Sequence, residues 1–218
     1  MNSSSIWEQI GRQFSLRWGE LLVSVGEHIQ LVLISMVIAI IIGVPAGILV
    51  SRYSFLRTWI IGGASILQTI PSLALLGFMI PILGIGMKTA IAALFLYSLL
   101  PIIRNTFTGI KDVDPSVIEA ARGLGMTGAQ ILLRVQLPLA MSVILAGIRT
   151  ATVINVGTAT LAAFIGAGGL GDFIFLGITR NIDALILLGA LPAAIMALLL
   201  DYLLGLLERW TTPRGLKI

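Results

Sequence analysis

Ile29-Gln30-Leu31-Val32-Leu33-Ile34-Ser35-Met36-Val37-Ile38-Ala39-Ile40-Ile41-Ile42-Gly43-Val44-Pro45-Ala46-Gly47-Ile48-Leu49-Val50-Ser51 contains no charged residue. About 20 such residues, rising ~1.5 Å each as a helix, cross the hydrocarbon core of a bilayer. The rest of the chain agrees. Of 218 residues, 57% are hydrophobic and only 11% charged, where a soluble domain carries about 25% charged residues. There is no Cys and a single His, His28. That excludes a disulfide scaffold, a thiol enzyme and a soft-metal site, so no metal ligands are expected. The net charge of +4 could point to nucleic acid. The basic residues, however, stand singly at the ends of apolar runs, with no polybasic tract and no aromatic platform. That pattern fits a lipid bilayer, and no nucleic-acid partner is expected. The fold class is an all-α integral membrane protein.

Outward from the first span, 58–87 is uncharged and long enough for a second span plus a loop around 82–86. A third starts at Thr89 and carries Arg104 in its last turns, snorkelling toward headgroups. A fourth covers 139 to about 164, interrupted by Arg149, and a fifth covers 184 to about 207 and contains Asp201. Five spans is the most economical count. Residues 1–27 show no secretory signal. Trp7, Ile10, Phe14, Trp18, Leu21 and Val25 recur at steps of three and four, an amphipathic helix that lies in the interface or packs as a short extension on the bundle. The organisation is thus an external segment 1–27, a membrane domain 28–210 and a tail 211–218. His28 reads as a residue of the membrane edge, and Trp7, Trp18, Trp59 and Trp210 as interfacial anchors.

Orientation follows from Lys and Arg. With five spans, one side receives Arg52, Arg57, Arg104, Lys111, Arg122, Arg134, Arg209, Arg214 and Lys217, and the other Arg12, Arg17, Lys88 and Arg180, with Arg149 unassigned. Excess positive charge marks the cytoplasmic side. The N-terminus is then outside, the C-terminus inside, the 111–138 connection cytoplasmic and the Gly-rich 166–183 loop external.

The cytoplasmic connection is dense in local signals. Asp114-Pro115 places an N-cap before Pro at the first helical position. Val117, Ala120, Ala121 and Leu124 follow as a small apolar face, and Gly125 ends the helix. Thr127-Gly128-Ala129-Gln130 reads as a capping box for a second short helix running to about Gln136 and halted near Pro138. Two capped helices at an angle form a stiff knob.

Glu119-Ala120-Ala121, three residues, Gly125, nine residues, then Val135-Gln136-Leu137-Pro138 resembles the EAA signature of ATP-binding-cassette importer permeases, departing only by Val135 for Ile. Gln68-Thr69-Ile70-Pro71-Ser72-Leu73-Ala74, Leu100-Pro101-Ile102-Ile103-Arg104-Asn105-Thr106 and Phe164-Ile165-Gly166-Ala167-Gly168-Gly169-Leu170-Gly171 are similar to segments of its osmoprotectant branch. The resemblance runs over nearly the whole chain. It implies a type I permease with the fold of the methionine and molybdate systems, importing glycine betaine, carnitine, choline or related quaternary ammonium solutes. It also implies three partners: a cytoplasmic ATPase dimer, a second permease that is a paralogue or a copy, and an external solute-binding protein. Glu119, Ala120, Ala121, Gly125, Leu137 and Pro138 are then the ATPase-coupling residues, in the bacterial inner membrane. The chain itself needs no cofactor, because ATP and Mg belong to the partner, and it is no enzyme. A permease for another small solute such as an amino acid is the alternative.

Gln68, Thr69, Pro71 and Ser72 put polar groups and a kink inside a span, either lining a pathway or bonding helix to helix; Asn155 and Thr158 pose the same choice. Gly168 and Gly169 suit a tight external turn or gate. With no Lys-Ser/Thr after them they are no phosphate loop. Arg149 lies about 16 Å into the fourth span if that span starts at Pro138, or at its cytoplasmic edge if it starts later. A structural ion pair with Asp201 is expected, since a fixed cation in the pathway would repel a cationic solute. An intramembrane enzyme would need a nucleophile with a base or clustered ligands, which are absent. An ion-coupled carrier would suit the polar breaks but needs more helices and an internal repeat.

Overall fold

The computed structural model describes residues 5–211, all helix and connecting turns, so the expected 211–218 tail beyond Thr211 lies outside the described residues. The first helix, α1, runs Ile6–Arg52 and starts on Ser5, whose hydroxyl accepts the Glu8 N–H at 3.3 Å. It departs from helical angles only at Arg17. The helix runs through residues 27 and 28 without a break. Nothing from Trp18 to Arg52 ends a helix, because Pro45 only removes one bond inside a run otherwise rich in apolar residues. Of the amphipathic stripe, Trp7, Phe14 and Trp18 are exposed, while Leu21 is buried in a cluster with Leu170, Phe173, Leu185 and Leu188.

The second span is broken. Helix α2, Ser54–Thr69, meets α3, Ser72–Leu83, at Ile70-Pro71 with a bend of 105°. Pro71 cannot donate a backbone N–H and forces Ile70 to extended angles, which ends α2. Helix α4, Met87–Lys111, follows; Arg104 is exposed near its end. Short helices α5, Pro115–Gly123, and α6, Gly128–Ile131, come next. Contrary to expectation, Pro138 does not halt the chain there. A π turn at Leu132–Gln136 leads into α7, Leu137–Ala159, with Pro138 in its first turn, where a missing N–H costs little. A 3₁₀ turn, Thr160–Ile165, ends α7. The 166–183 connection holds a ten-residue helix, α8, Gly171–Arg180, before α9, Asp183–Thr211. Helix α1, the Gly128–Ile165 run, α4 and α9 are each long and apolar enough to cross a membrane, and the bent α2–α3 pair makes five.

Helix α4 sits between α1 and α7. Small residues set these contacts. A Cβ at Gly43 would lie 2.9 Å from Ile102 Cγ2, and one at Gly47 2.5 Å from Thr106 Cβ. A Cβ at Gly147 of α7 would collide with Asn105 and stand 2.9 Å from the Pro101 carbonyl. In lipid, where apolar side chains gain nothing by leaving the solvent, such close approach drives helix association. The α5–α6 end of the bundle also holds the ends of α1 and α4. The opposite end holds the α3–α4 turn and α8.

Gly47→Leu and Gly147→Leu should each destabilise the detergent-solubilised protein by roughly 1–3 kcal/mol, as overpacking does. Gly62→Leu, where a Cβ meets nothing within 4 Å, is the control. Thermal loss of the monodisperse size-exclusion peak reads this, and equal midpoints for all three variants would refute the packing account.

Candidate functional site

The α5–α6 knob is built by its caps. Asp114 Oδ1 accepts the Ser116 N–H at 2.8 Å, which holds its carboxyl below the usual carboxylate range. The charged cap is therefore complete at neutral pH and is lost as pH falls through that lowered value. Gly125 takes φ +77°, closing α5 with its N–H on the Arg122 carbonyl at 2.9 Å. Thr127 and Gln130 form the capping box, with Thr127 N to Gln130 Oε1 2.8 Å and Gln130 N to Thr127 Oγ1 3.3 Å. Ala121 and Ile131 are buried and fasten the knob from within, while Glu119, Ala120, Gly125 and Pro138 are exposed and Leu137 is half-buried. Leu124 is 83% exposed. An apolar side chain that bare, on the same stiff projection as Glu119, is what a docking surface looks like. The knob is tied to the bundle by Arg52 Nη2, which donates to the Gly128 carbonyl at 2.6 Å, and by Gln136 Nε2 to the Ile110 carbonyl at 3.5 Å.

At the α2–α3 break, Gln68 Nε2 donates to the Tyr97 carbonyl at 3.0 Å, and the Tyr97 hydroxyl donates to the Ile70 carbonyl. Tyr97 escaped the sequence reading; its only signal was a phenol in the apolar run of the third span. Thr69 and Pro71 are exposed and Ser72 half-buried, so the break presents polar surface on the open side of α4. Thr158 is half-buried on α7, its hydroxyl donating back to the Ile154 carbonyl at 2.9 Å.

Asn155 does not join that surface. It is fully buried, with Nδ2 donating to Ser98 Oγ at 2.7 Å and Oδ1 accepting from Ser35 Oγ at 3.2 Å. It knots α1, α4 and α7 together. His28 is likewise no residue of the membrane edge. It is fully buried, Nε2 at 3.1 Å from the Val156 carbonyl. The interface expectation failed because the helix continues past residue 28 in both directions and turns that side chain inward.

Arg149 meets Asp201 in a bidentate pair, Nε on Oδ1 and Nη2 on Oδ2 at 2.7 Å, and Glu208 Oε2 stands 3.6 Å from Nη1. Arg149 is one residue past the midpoint of α7, and Asp201 lies in the second half of α9. Glu208, one turn and more beyond Asp201, is the partner that sequence pairing by depth missed. At the opposite end, the Gly168–Gly169 turn rests on α1, with Gly169 N–H on Glu27 Oε2 at 2.9 Å.

This bundle, with its capped knob and broken second span, has known relatives. The family of binding-protein-dependent transport system inner membrane components matches residues 22–215. The chain belongs to this family. It is 49% identical over 199 residues to the glycine betaine/carnitine/choline transport system permease protein OpuCB of Bacillus subtilis, covering 91% of this chain and 92% of that one. It is 46% identical over 196 residues to the osmoprotectant import permease protein OsmW of Salmonella typhimurium, covering 88% and 91%. Among solved structures, the MetNI methionine ABC transporter in inward-facing conformations matches with a TM-score of 0.79 and 25% identity, over 88% of this chain and 96% of that one. This family member is thus a multi-pass permease subunit of an ABC importer in the inner membrane.

Asp201→Asn should lower the yield of folded protein by leaving the Arg149 guanidinium with only Glu208 beside it on a membrane-spanning helix, and adding Arg149→Gln should recover part of the loss. A thermal double-mutant cycle should show coupling between the two positions; strictly additive effects would refute the pair. Tyr97→Phe, which leaves the Ile70 carbonyl unpaired, should cost about 1–3 kcal/mol in the same assay, and an unchanged midpoint would mean that the hydroxyl does not hold the break.

Proposed function

We propose that this permease imports quaternary ammonium osmoprotectants, glycine betaine, carnitine and choline, in alternating access driven by a separate ATPase. The observation that carries the substrate class is the 49% identity, over nine-tenths of both chains, to a permease named for those three solutes. The drive is assigned to the knob. A cytoplasmic ATPase dimer would take α5 in a cleft, with Glu119, Ala120, Ala121 and Gly125 at the contact and Leu137 and Pro138 passing the push into α7. The partner, not this chain, would bind ATP and Mg. A second permease, paralogue or copy, would complete the pathway against the polar surface around Gln68, Thr69, Pro71, Ser72 and Thr158. An external binding protein would deliver the solute.

The knob end is taken as cytoplasmic. Arg52, Arg57, Arg104, Lys111, Arg122 and Arg134 all belong to it, and such an excess of positive charge is retained inside. The N-terminus is then external, and so is the Gly168–Gly169 turn.

The test is uptake of radiolabelled glycine betaine, carnitine, choline and methionine by the assembled importer in vesicles, with and without internal ATP. ATP-dependent uptake of at least one of the three quaternary ammonium solutes, with methionine excluded, is expected. Uptake of methionine alone would overturn the substrate class, and uptake driven by an ion gradient without ATP would overturn the drive. Glu119→Ala and Gly125→Val should each lower ATP-driven uptake roughly tenfold or more, the loss of about 1.4 kcal/mol, with the membrane protein still folded. Unaltered uptake would remove the knob from the mechanism.

A further inference from the structure

Two consecutive residues of α1 hold the turn at the external end, and they offer its backbone two different seats. Gly169 N–H donates to Glu27 Oε2 at 2.9 Å. The turn lies directly on α1: a Cβ at Gly168 would overlap the Glu27 carboxylate, and a Cβ at Gly169 would stand 3.2 Å from His28 Nδ1. Both glycines have positive φ, 77° and 91°, so side chains are excluded there by conformation as well as by space.

His28 explains the second seat. Its ring is fully buried, and Nε2 pairs with the Val156 carbonyl, three residues before α7 ends. A carbonyl only accepts, so Nε2 carries the proton and Nδ1 is a lone-pair acceptor; the tautomer is assigned from that bond. Nδ1 is buried with no hydrogen-bond partner. Such an acceptor is costly to leave empty, and native proteins rarely do so without a use for it. Beside it stands the Gly169 backbone, whose N–H is committed to Glu27.

We propose that Glu27 and His28 form a two-position latch for the external turn: Gly169 N–H rests on the Glu27 carboxylate while the outer side is closed and moves to His28 Nδ1 when it opens. The Gly169–Glu27 bond present in the structure is assigned to the closed position. The exchange replaces one hydrogen bond by another, so the turn has two defined positions separated by a small shift, as a switching element requires. Glu27 and His28 act as positioning residues on the gate and touch no solute.

The latch rests on the ATP-driven import reading, and the experiment separates the two. ATP hydrolysis by the reconstituted full importer is measured with and without its binding protein for wild type, Glu27→Ala, Glu27→Gln and His28→Gln. Glu27→Ala frees the closed position and should raise hydrolysis without binding protein roughly tenfold, a shift of about 1.4 kcal/mol. Glu27→Gln keeps an acceptor oxygen and should fall between. His28→Gln keeps a donor for the Val156 carbonyl but removes the Nδ1 seat, so it should lower the binding-protein-stimulated rate, roughly fivefold, more than the basal one. Opposite signs at adjacent residues are what a purely structural role would not produce. Equal stimulation ratios in all four proteins, or a parallel loss in every variant, would overturn the latch. A wild-type importer that its binding protein does not stimulate would overturn the import reading and the latch together.

Discussion

Close contact of α4 with α1 on one side and α7 on the other is the constraint on which the rest depends. In a bilayer the burial of Leu against Leu supplies little net drive, so helices stay together where backbones approach closely and where polar groups find one another. Both occur on α4. Gly43 and Gly47 bring α1 against Ile102 and Thr106, and Gly147 brings α7 against Asn105 and the Pro101 carbonyl. At the junction of the same three helices, Ser35, Ser98 and Asn155 satisfy each other out of reach of lipid. An amide buried there specifies register, because sliding any one helix by a turn would leave its polar atoms unpaired.

Fixing α1 to α4 and α7 has a mechanical consequence. The same α1 touches the Gly168–Gly169 turn through Glu27 and His28 and the knob through Arg52. Those attachments are 25 residues apart on a helix without a break in between, or about 38 Å at 1.5 Å per residue. A rod of that length transmits displacement without absorbing it. Gln136 repeats the arrangement from the other side, joining the π turn ahead of α7 to the end of α4. The π turn is the softer element in this frame, and Pro138 accounts for it, since a missing N–H shifts the bonding of the turn before it.

The membrane class, the number of spans and the knob were legible because they rest on local properties: uncharged length, cap residues and a spaced motif. Asp114, Thr127 and Gln130 cap as their types demand, whatever the tertiary context. The Arg149–Asp201 pairing was legible from depth alone, because two opposite charges in neighbouring spans have few other partners; Glu208 was not, because it looked like part of the helix end. What periodicity could not supply was rotation about the helix axis. His28 and Asn155 occupy positions whose neighbours alternate between lipid, protein and cavity, and only packing decides which they face. The helical continuity of residues 18–52 was hidden for the same reason: charged residues at the start of α1 looked like an interface segment, while its backbone has no cause to stop there.

The break at Ile70-Pro71 shows how one frame supports irregular backbone. A span that bends by 105° exposes carbonyls, which is tolerable at depth only where other groups bond them. Here the carbonyl of Ile70 is taken by Tyr97, and Gln68 bonds the Tyr97 carbonyl in return. Both bonds end on Tyr97 of α4, so the bend is held by the same helix that fixes α1 and α7. Tyr97 follows Leu94, whose carbonyl receives Ser98 and Asn155 in the polar junction, by less than one turn. Displacement of α4 would therefore reach the break and the three-helix junction at once. The polar surface of the broken span is thus mechanically part of the α1–α4–α7 unit, and the groups it presents are neutral, whereas the guanidinium of Arg149 is held by acids on α9. A surface of neutral polar groups neither repels a permanent cation nor holds it tightly, as the proposed import of quaternary ammonium solutes requires.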